Sequence, residues 1–138
     1  MKNQATANFK VTQWDQVAIA DVGAGPEWGR ATVLKVFEGD LAGESRAELL
    51  MAGTPASGAE YIAQERFVGR LGDRAGTFDL QHGGTALANG ETPFQFGYMW
   101  PNSGTGGPEG LTGTVLYGHD IAGAVVTLAY EFEGEDAA

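Results

Sequence analysis

The sequence predicts an all-β protein built on a closed or sandwiched antiparallel sheet, and three observations carry that prediction. Apolar residues recur at every second position in segment after segment, the period of a half-buried strand. Glycine supplies 22 of the 138 residues, with no three-residue repeat, and falls between those segments where hairpin turns need it. Helical spacing is hard to find anywhere in the chain.

Taken in order, "ATANFKVTQW" sets Phe9 and Val11 on one face and Asn8, Lys10 and Thr12 on the other, a first strand. "DQVAIADVGAGPEWG", between Asp15 and Gly29, reads as a long loop, either a lid or a surface segment packing Trp28 or Ile19 across one end of the fold. "RATVLKVFEGD" and "GESRAELLMAG" form a hairpin about Gly39 and Asp40, with Pro55 and Gly58 as turn residues after it. "AEYIAQERFVGRL" and "GTFDLQHGGTA" form a second hairpin about Gly72 and Asp73. "TPFQFGYMW", "LTGTVLYG" and "AGAVVTLAYEF" complete a set of eight strands, and the acidic tail from Gly134 to Ala138 is expected to fray. In "GDLAGES", "GRLGDRAGT" and "GLTGT" a leucine stands between glycines at a strand junction, suited to plugging one end of a closed sheet.

Composition narrows the function. A single domain of 138 residues has room for a real core. Eight Lys and Arg against eighteen Asp and Glu leave a net charge of −10, which repels nucleic acid and anionic membranes. There are no cysteines, which excludes thiolate chemistry and suits a reducing cytoplasm. The opening "MKNQATANFK" has no apolar stretch of a secretion signal and no run is long enough for a membrane helix, so a soluble cytoplasmic protein is expected.

Familiar catalytic motifs fail. "SGTGGPEG" has no Lys-Ser or Lys-Thr after it and no helix pattern, so it is not a nucleotide loop. His82 and His119 lie on different strands without partners at ligand spacing, so no metal is expected. None of the serines lies in a Gly-x-Ser-x-Gly elbow.

"GTGGPEGLTGTV", from Gly104 to Val115, resembles the glycine-rich strand–turn–strand signature of the allene oxide cyclase-like barrels, the superfamily that includes plant dirigent proteins. With "TQWDQ", "GRATVLKVFEGDLAGES", "ELLMA", "ERFVGRLGDRAGTFDLQH" and "LAYEFE", the chain resembles a small bacterial family of such barrels of uncharacterised function over nearly its whole length. That resemblance implies an eight-stranded antiparallel β-barrel with a largely apolar interior, and small hydrophobic molecules as ligands. It implies a homo-oligomer, a trimer by likeness to the plant proteins, with a dimer as the other possibility. Closure of the sheet would remove free edges, so subunits would meet through outer faces or loops. No cofactor is implied, and the catalytic residues of the plant enzymes do not map onto this chain.

Strand parity nominates a site independently of the resemblance, because polar residues sharing parity with large apolar ones face inward. Lys35 shares parity with Val33 and Phe37, Glu65 with Tyr61, Ala63 and Phe67, and His82 with Phe78 and Leu80. Buried charges must pair, so Lys35 and Glu65 are expected to offset each other with His82 bonded to either. As catalytic candidates, Glu65 is the acid or base, His82 its partner or a ligand donor, and Lys35 an electrostatic clamp. Tyr61, Tyr98 and Trp100 are candidates for lining an apolar pocket, and Glu48 joins them as a further ligand-binding residue. The sequence thus poses two readings: a barrel binding a small apolar molecule, with isomerase or cyclase activity by acid–base catalysis, or a non-catalytic barrel whose polar cluster is architectural.

Overall fold

The computed structural model describes residues 2–54 and 56–134. Pro55 and the tail residues 135–138 lie outside them. The strands are β1 (Asn3–Ile19), β2 (Glu27–Gly39), β3 (Leu41–Thr54), β4 (Gly58–Leu71), β5 (Arg74–Leu87), β6 (Gln95–Met99), β7 (Thr105–Gly106), β8 (Leu111–Asp120) and β9 (Gly123–Phe132). No helix occurs among the described residues. The sheet is antiparallel throughout, in the order β4-β3-β2-β1-β9-β8-β6-β5, and pairing of β4 with β5 closes it into a ring. The nine strands include one more than the sequence reading, because the two-residue β7 adds to the end of β5 through Gly76–Gly106 and Thr77–Thr105.

The long loop expected between Asp15 and Gly29 is instead a hairpin. β1 continues to Ile19, pairing Asp15 with Thr32, Val17 with Arg30 and Ile19 with Trp28. Both faces of "DQVAI" are exposed, so the segment carries no apolar-in, polar-out signal of a strand. A bulge between Val11 and Gln13 reverses which side chains point in, so Trp14 stands beside inward-facing Val33.

One end of the ring is packed. Phe67 lies between Phe37 and Phe78, with ring centroids 5.5 and 5.2 Å away. Leu41, Leu71 and Leu111, the three leucines set between glycines, are buried in the same cluster. The strands bend over Phe67 because Gly43 and Gly69 face each other. A Cβ on Gly43 would meet the Val68 carbonyl oxygen and lie 2.8 Å from Gly69 Cα, so only glycine allows this approach. The other end is lined by Ala31, Val33, Ala47, Leu49 and Ala63, whose small side chains leave room that phenylalanines fill at the packed end.

The ring closes along only part of β1. β9 pairs with Asn3 to Asn8, and Asn8 then turns its side chain to Asp120 and the Ala124 carbonyl. From Phe9 to Ile19, β1 is paired on its β2 side alone among the described residues. A free edge therefore survives ring closure, contrary to the expectation from sequence.

Candidate functional site

The interior side chains form lateral rows across the strands. Lys35, Ser45, Phe67 and Phe78 occupy one row, Val33, Ala47, Glu65 and Leu80 the next, and Ala31, Leu49, Ala63 and His82 the third. Lys35, Glu65 and His82 thus stand in consecutive rows, at the boundary between the packed end and the open end. Ser45 and Ala47, the neighbours across β3, are small enough for the long Lys35 and Glu65 side chains to meet.

Glu65 is fully buried and surrounded by donors. Its Oε1 accepts from Lys35 Nζ at 3.1 Å, His82 Nε2 at 2.7 Å and the Tyr117 hydroxyl at 2.9 Å. Its Oε2 accepts from Ser45 Oγ at 2.5 Å. Burial alone would raise its pKa. The His82 hydrogen bond, the charges of Lys35 and His82 and the Ser45 hydroxyl overcome burial and hold it at about 2, below the usual 4.5.

The ionised carboxylate fixes the imidazole. His82 Nε2 carries the proton donated to Glu65, so in the neutral ring Nδ1 is an acceptor, 3.0 Å from the Tyr61 hydroxyl. The Tyr117 ring lies against His82, centroids 4.4 Å apart, and Lys35 Nζ sits 4.9 Å from the ring centroids of Phe9 and Tyr117. Burial, then the Glu65 charge, raises the Tyr61 pKa, and the same causes push Tyr117 well above the ordinary phenol value. Both phenols are held as donors. The chain Glu65–His82–Tyr61 is a carboxylate–imidazole–hydroxyl relay, the arrangement that moves a proton through an oriented ring.

A cavity of about 540 Å³ occupies the open end, lined by apolar residues including Phe9, Trp14, Val33 and Leu49, and at its floor by Lys35, Tyr61, His82 and Tyr117. Glu65 lies behind these donors and does not line it. A second depression of about 600 Å³ lies between Trp28, Leu50, Ile62 and Phe96 and shares Met51 and Tyr61 with the first, but neither Lys35 nor His82 lines it. The first cavity is the one that the buried Lys35 and His82 line.

Three residues nominated from sequence are elsewhere. Tyr98 and Trp100 stand on the outer face, where the Tyr98 hydroxyl donates to Gln81 and Trp100 is half-exposed. The inward residues of β6 are Gln95, Gly97 and Met99, and a Cβ on Gly97 would lie 2.6 Å from Val115 Cγ1. Tyr98 and Trp100 share parity with Phe94 and Phe96, and this more apolar face of the strand is the outer one. Glu48 also faces out, accepting from Thr32 at 3.0 Å and Arg46 at 3.4 Å, because Ala47 and Leu49 claim the interior of β3. Ser45 and Tyr117 were missed, although parity with Ala47 and Leu49, and with Val115, marks both as inward. No group of three His, Asp or Glu side chains able to hold a metal occurs among the described residues, and no helix is long and apolar enough to cross a membrane.

Residues 5–133 match a family described as protein of unknown function (DUF3224). The chain is similar to the crystal structure of a DUF3224 protein of unknown function from Shewanella oneidensis MR-1. The identity is 30%, over 96% of this chain and 99% of that one, with a TM-score of 0.83. No curated protein matches.

Proposed function

The chain belongs to the DUF3224 family, whose function is unknown, and from its site we propose that it binds a small, mostly apolar molecule in the interior cavity and isomerises or cyclises it by acid–base catalysis. The observation that carries this reading is the Glu65–His82–Tyr61 relay ending at the floor of an apolar cavity of about 540 Å³, a volume within the usual range for small-molecule sites. The eight ring strands and the Gly104 to Val115 signature support reading the ring as a barrel of the allene oxide cyclase-like kind.

The division of labour differs from the one sequence suggested. Glu65 is saturated with donors and its pKa is too low for it to serve as acid or base near neutrality. It is a positioning residue, and His82 with Tyr61 does the proton transfer. A proton leaving the carbon next to a substrate carbonyl passes to the Tyr61 oxygen as the Tyr61 proton passes to His82 Nδ1. The imidazolium formed is paired with Glu65, and the reverse transfer returns the proton to another carbon of the enolate. Concerted transfer avoids a free phenolate, which the raised Tyr61 pKa disfavours. Lys35 spends one N–H on Glu65 and keeps others for a developing oxyanion.

A specific observation favours the architectural alternative: no buried side-chain nitrogen or oxygen among the described residues lacks a partner, as a purely structural network requires. Deuterium exchange separates the two readings without knowledge of the natural substrate. Dodecanone and apolar cyclic enones incubated with the protein in heavy water should exchange hydrogen next to the carbonyl, and Tyr61→Phe and His82→Gln should abolish exchange while remaining folded. Exchange by Tyr61→Phe at the wild-type rate, or no exchange and no binding of any probe by the wild type, refutes the catalytic reading.

A further inference from the structure

We propose that the free edge of β1 is a dimerisation site, where two copies of this chain pair antiparallel through residues 13–19 about a two-fold axis at Gln16. The backbone direction follows from the hydrogen bonds. Thr6 donates its amide to the Asp40 carboxylate and accepts from the Asp40 amide, so even-numbered residues of β1 before the bulge aim their backbone groups at β2. The extra residue between Val11 and Gln13 reverses this alternation. Beyond the bulge, Gln13, Asp15, Val17 and Ile19 bond to β2, while Trp14, Gln16 and Ala18 aim N–H and C=O at the free edge.

Edges of this kind in monomers are blunted by lysine, proline or bulges. Here the bulge and Lys10 both precede the segment, no proline interrupts it, and Asp15 is its only charge. Val17 is 55% exposed and Trp14 49%, so pairing would cover apolar surface as well as satisfy backbone groups.

The sequence selects a second copy as the occupant through charge. The chain carries a net −10, so most of its surface repels itself. With the axis at Gln16, Asp15 faces the partner's Val17, so no like charges stand opposite each other. Val17 lies beside Arg30 in the same cross-strand row, and that row continues onto the partner's Asp15. A guanidinium then reaches across Val17 toward a carboxylate on each side of the axis. The facing pairs Trp14 with the partner's Ala18, Gln16 with the partner's Gln16, and Ala18 with the partner's Trp14 each exchange two backbone hydrogen bonds. Trp14 also lines the interior cavity, so the partner strand would wall the open end where β9 stops short. This inference does not depend on catalysis.

The test uses the full chain, which has no cysteine of its own. Sedimentation velocity over a concentration series should give a wild-type dimer. Gln16→Pro, which removes the central edge donors but no bond to β2, should weaken it roughly ten- to hundredfold with the circular dichroism unchanged. Under mild oxidation, Gln16→Cys should form a disulfide-linked dimer rapidly, and Asp73→Cys, in the β4–β5 turn at the packed end, should not. A wild type that stays monomeric at high concentration overturns the proposal. So does a wild-type dimer in which Gln16→Cys cross-links no faster than Asp73→Cys. That second outcome also covers a Gln16→Pro chain that fails to fold.

Discussion

Replacing Glu65 with glutamine tests the centre of the site most directly. The amide keeps the volume but removes the charge, so the Lys35 ammonium, 3.1 Å away and 7% exposed, loses its counterion in the interior. The amide nitrogen also turns a donor toward a shell made of donors. Breaking a buried ion pair from one side costs about 3–5 kcal/mol. Proton linkage gives an independent magnitude. Glu65 is held at about 2 in the folded chain against an ordinary 4.5, so between those values the unfolded chain binds the extra proton and stability rises with pH. The shift corresponds to about 3 kcal/mol, fully present above pH 4.5 and lost as pH falls through 2; about 2 kcal/mol of it is gone by pH 3. Other carboxylates titrate in both proteins and cancel in the difference. Urea unfolding followed by far-ultraviolet circular dichroism at pH 7 and pH 3 should therefore show Glu65→Gln destabilised by at least about 3 kcal/mol at neutrality, with the gap narrowing by about 2 kcal/mol in acid. A variant within about 0.5 kcal/mol of wild type at pH 7, or a gap that does not narrow, refutes the assignment of Glu65 as the ionised hub.

Lys35→Met removes the other half of the pair; it should cost about 3–5 kcal/mol in urea unfolding and raise the Glu65 pKa, read from its side-chain carbonyl shift in carbon NMR. Gly43→Ala should destabilise by several kcal/mol, roughly the cost of forcing backbone apart, because its Cβ would meet the Val68 carbonyl; a thermal midpoint equal to wild type would show that the bend over Phe67 is not tight. Met51→Trp adds bulk to the cavity wall beside its cross-strand neighbour Tyr61, and should abolish uptake of dodecanone, measured by calorimetry, at a stability cost of about 1–3 kcal/mol. Tyr98→Phe, on the outer face, should leave the same uptake unaltered.

Parity identified inward side chains well where one face of a strand is buried and the other wet. β2 and β4 satisfy that condition around Lys35 and Glu65; in β5 both faces are buried about Asp79 and Gly83, and His82 is placed by its parity with Phe78 and Leu80, so that it meets Glu65. The rule lost its footing where the two faces do not differ. In β1 beyond the bulge both faces are exposed, so a strand looked like a loop. In β6 the outer face is the more apolar, since Phe96 lies over Gly83, where a Cβ would sit 2.6 Å from the Phe96 ring. Gly83 permits that packing on the outer face while Gly97 empties the inner face of β6, and no single-strand pattern distinguishes this from an aromatic core. Ser45 and Tyr117 were legible by parity, but a serine and a tyrosine carry less alarm in a core than a lysine or histidine.

The placement of the carboxylate argues about the purpose of the network. A cluster needed only to fix strand register would be served as well by apolar side chains of equal volume, since buried ion pairs stabilise little over such replacements. Here the ion pair lies at the one level of the interior where packing stops: phenylalanines fill the space on one side, and alanines leave it open on the other. The acceptor is fully buried and does not line the cavity, while His82, Tyr61, Lys35 and Tyr117 do. Each of those donors has a partner within the network, yet Lys35 carries further N–H groups beyond the one it gives Glu65, and they stand at the cavity. That asymmetry, more than the pairing itself, is why the cluster is read as a site preorganised for a bound oxygen.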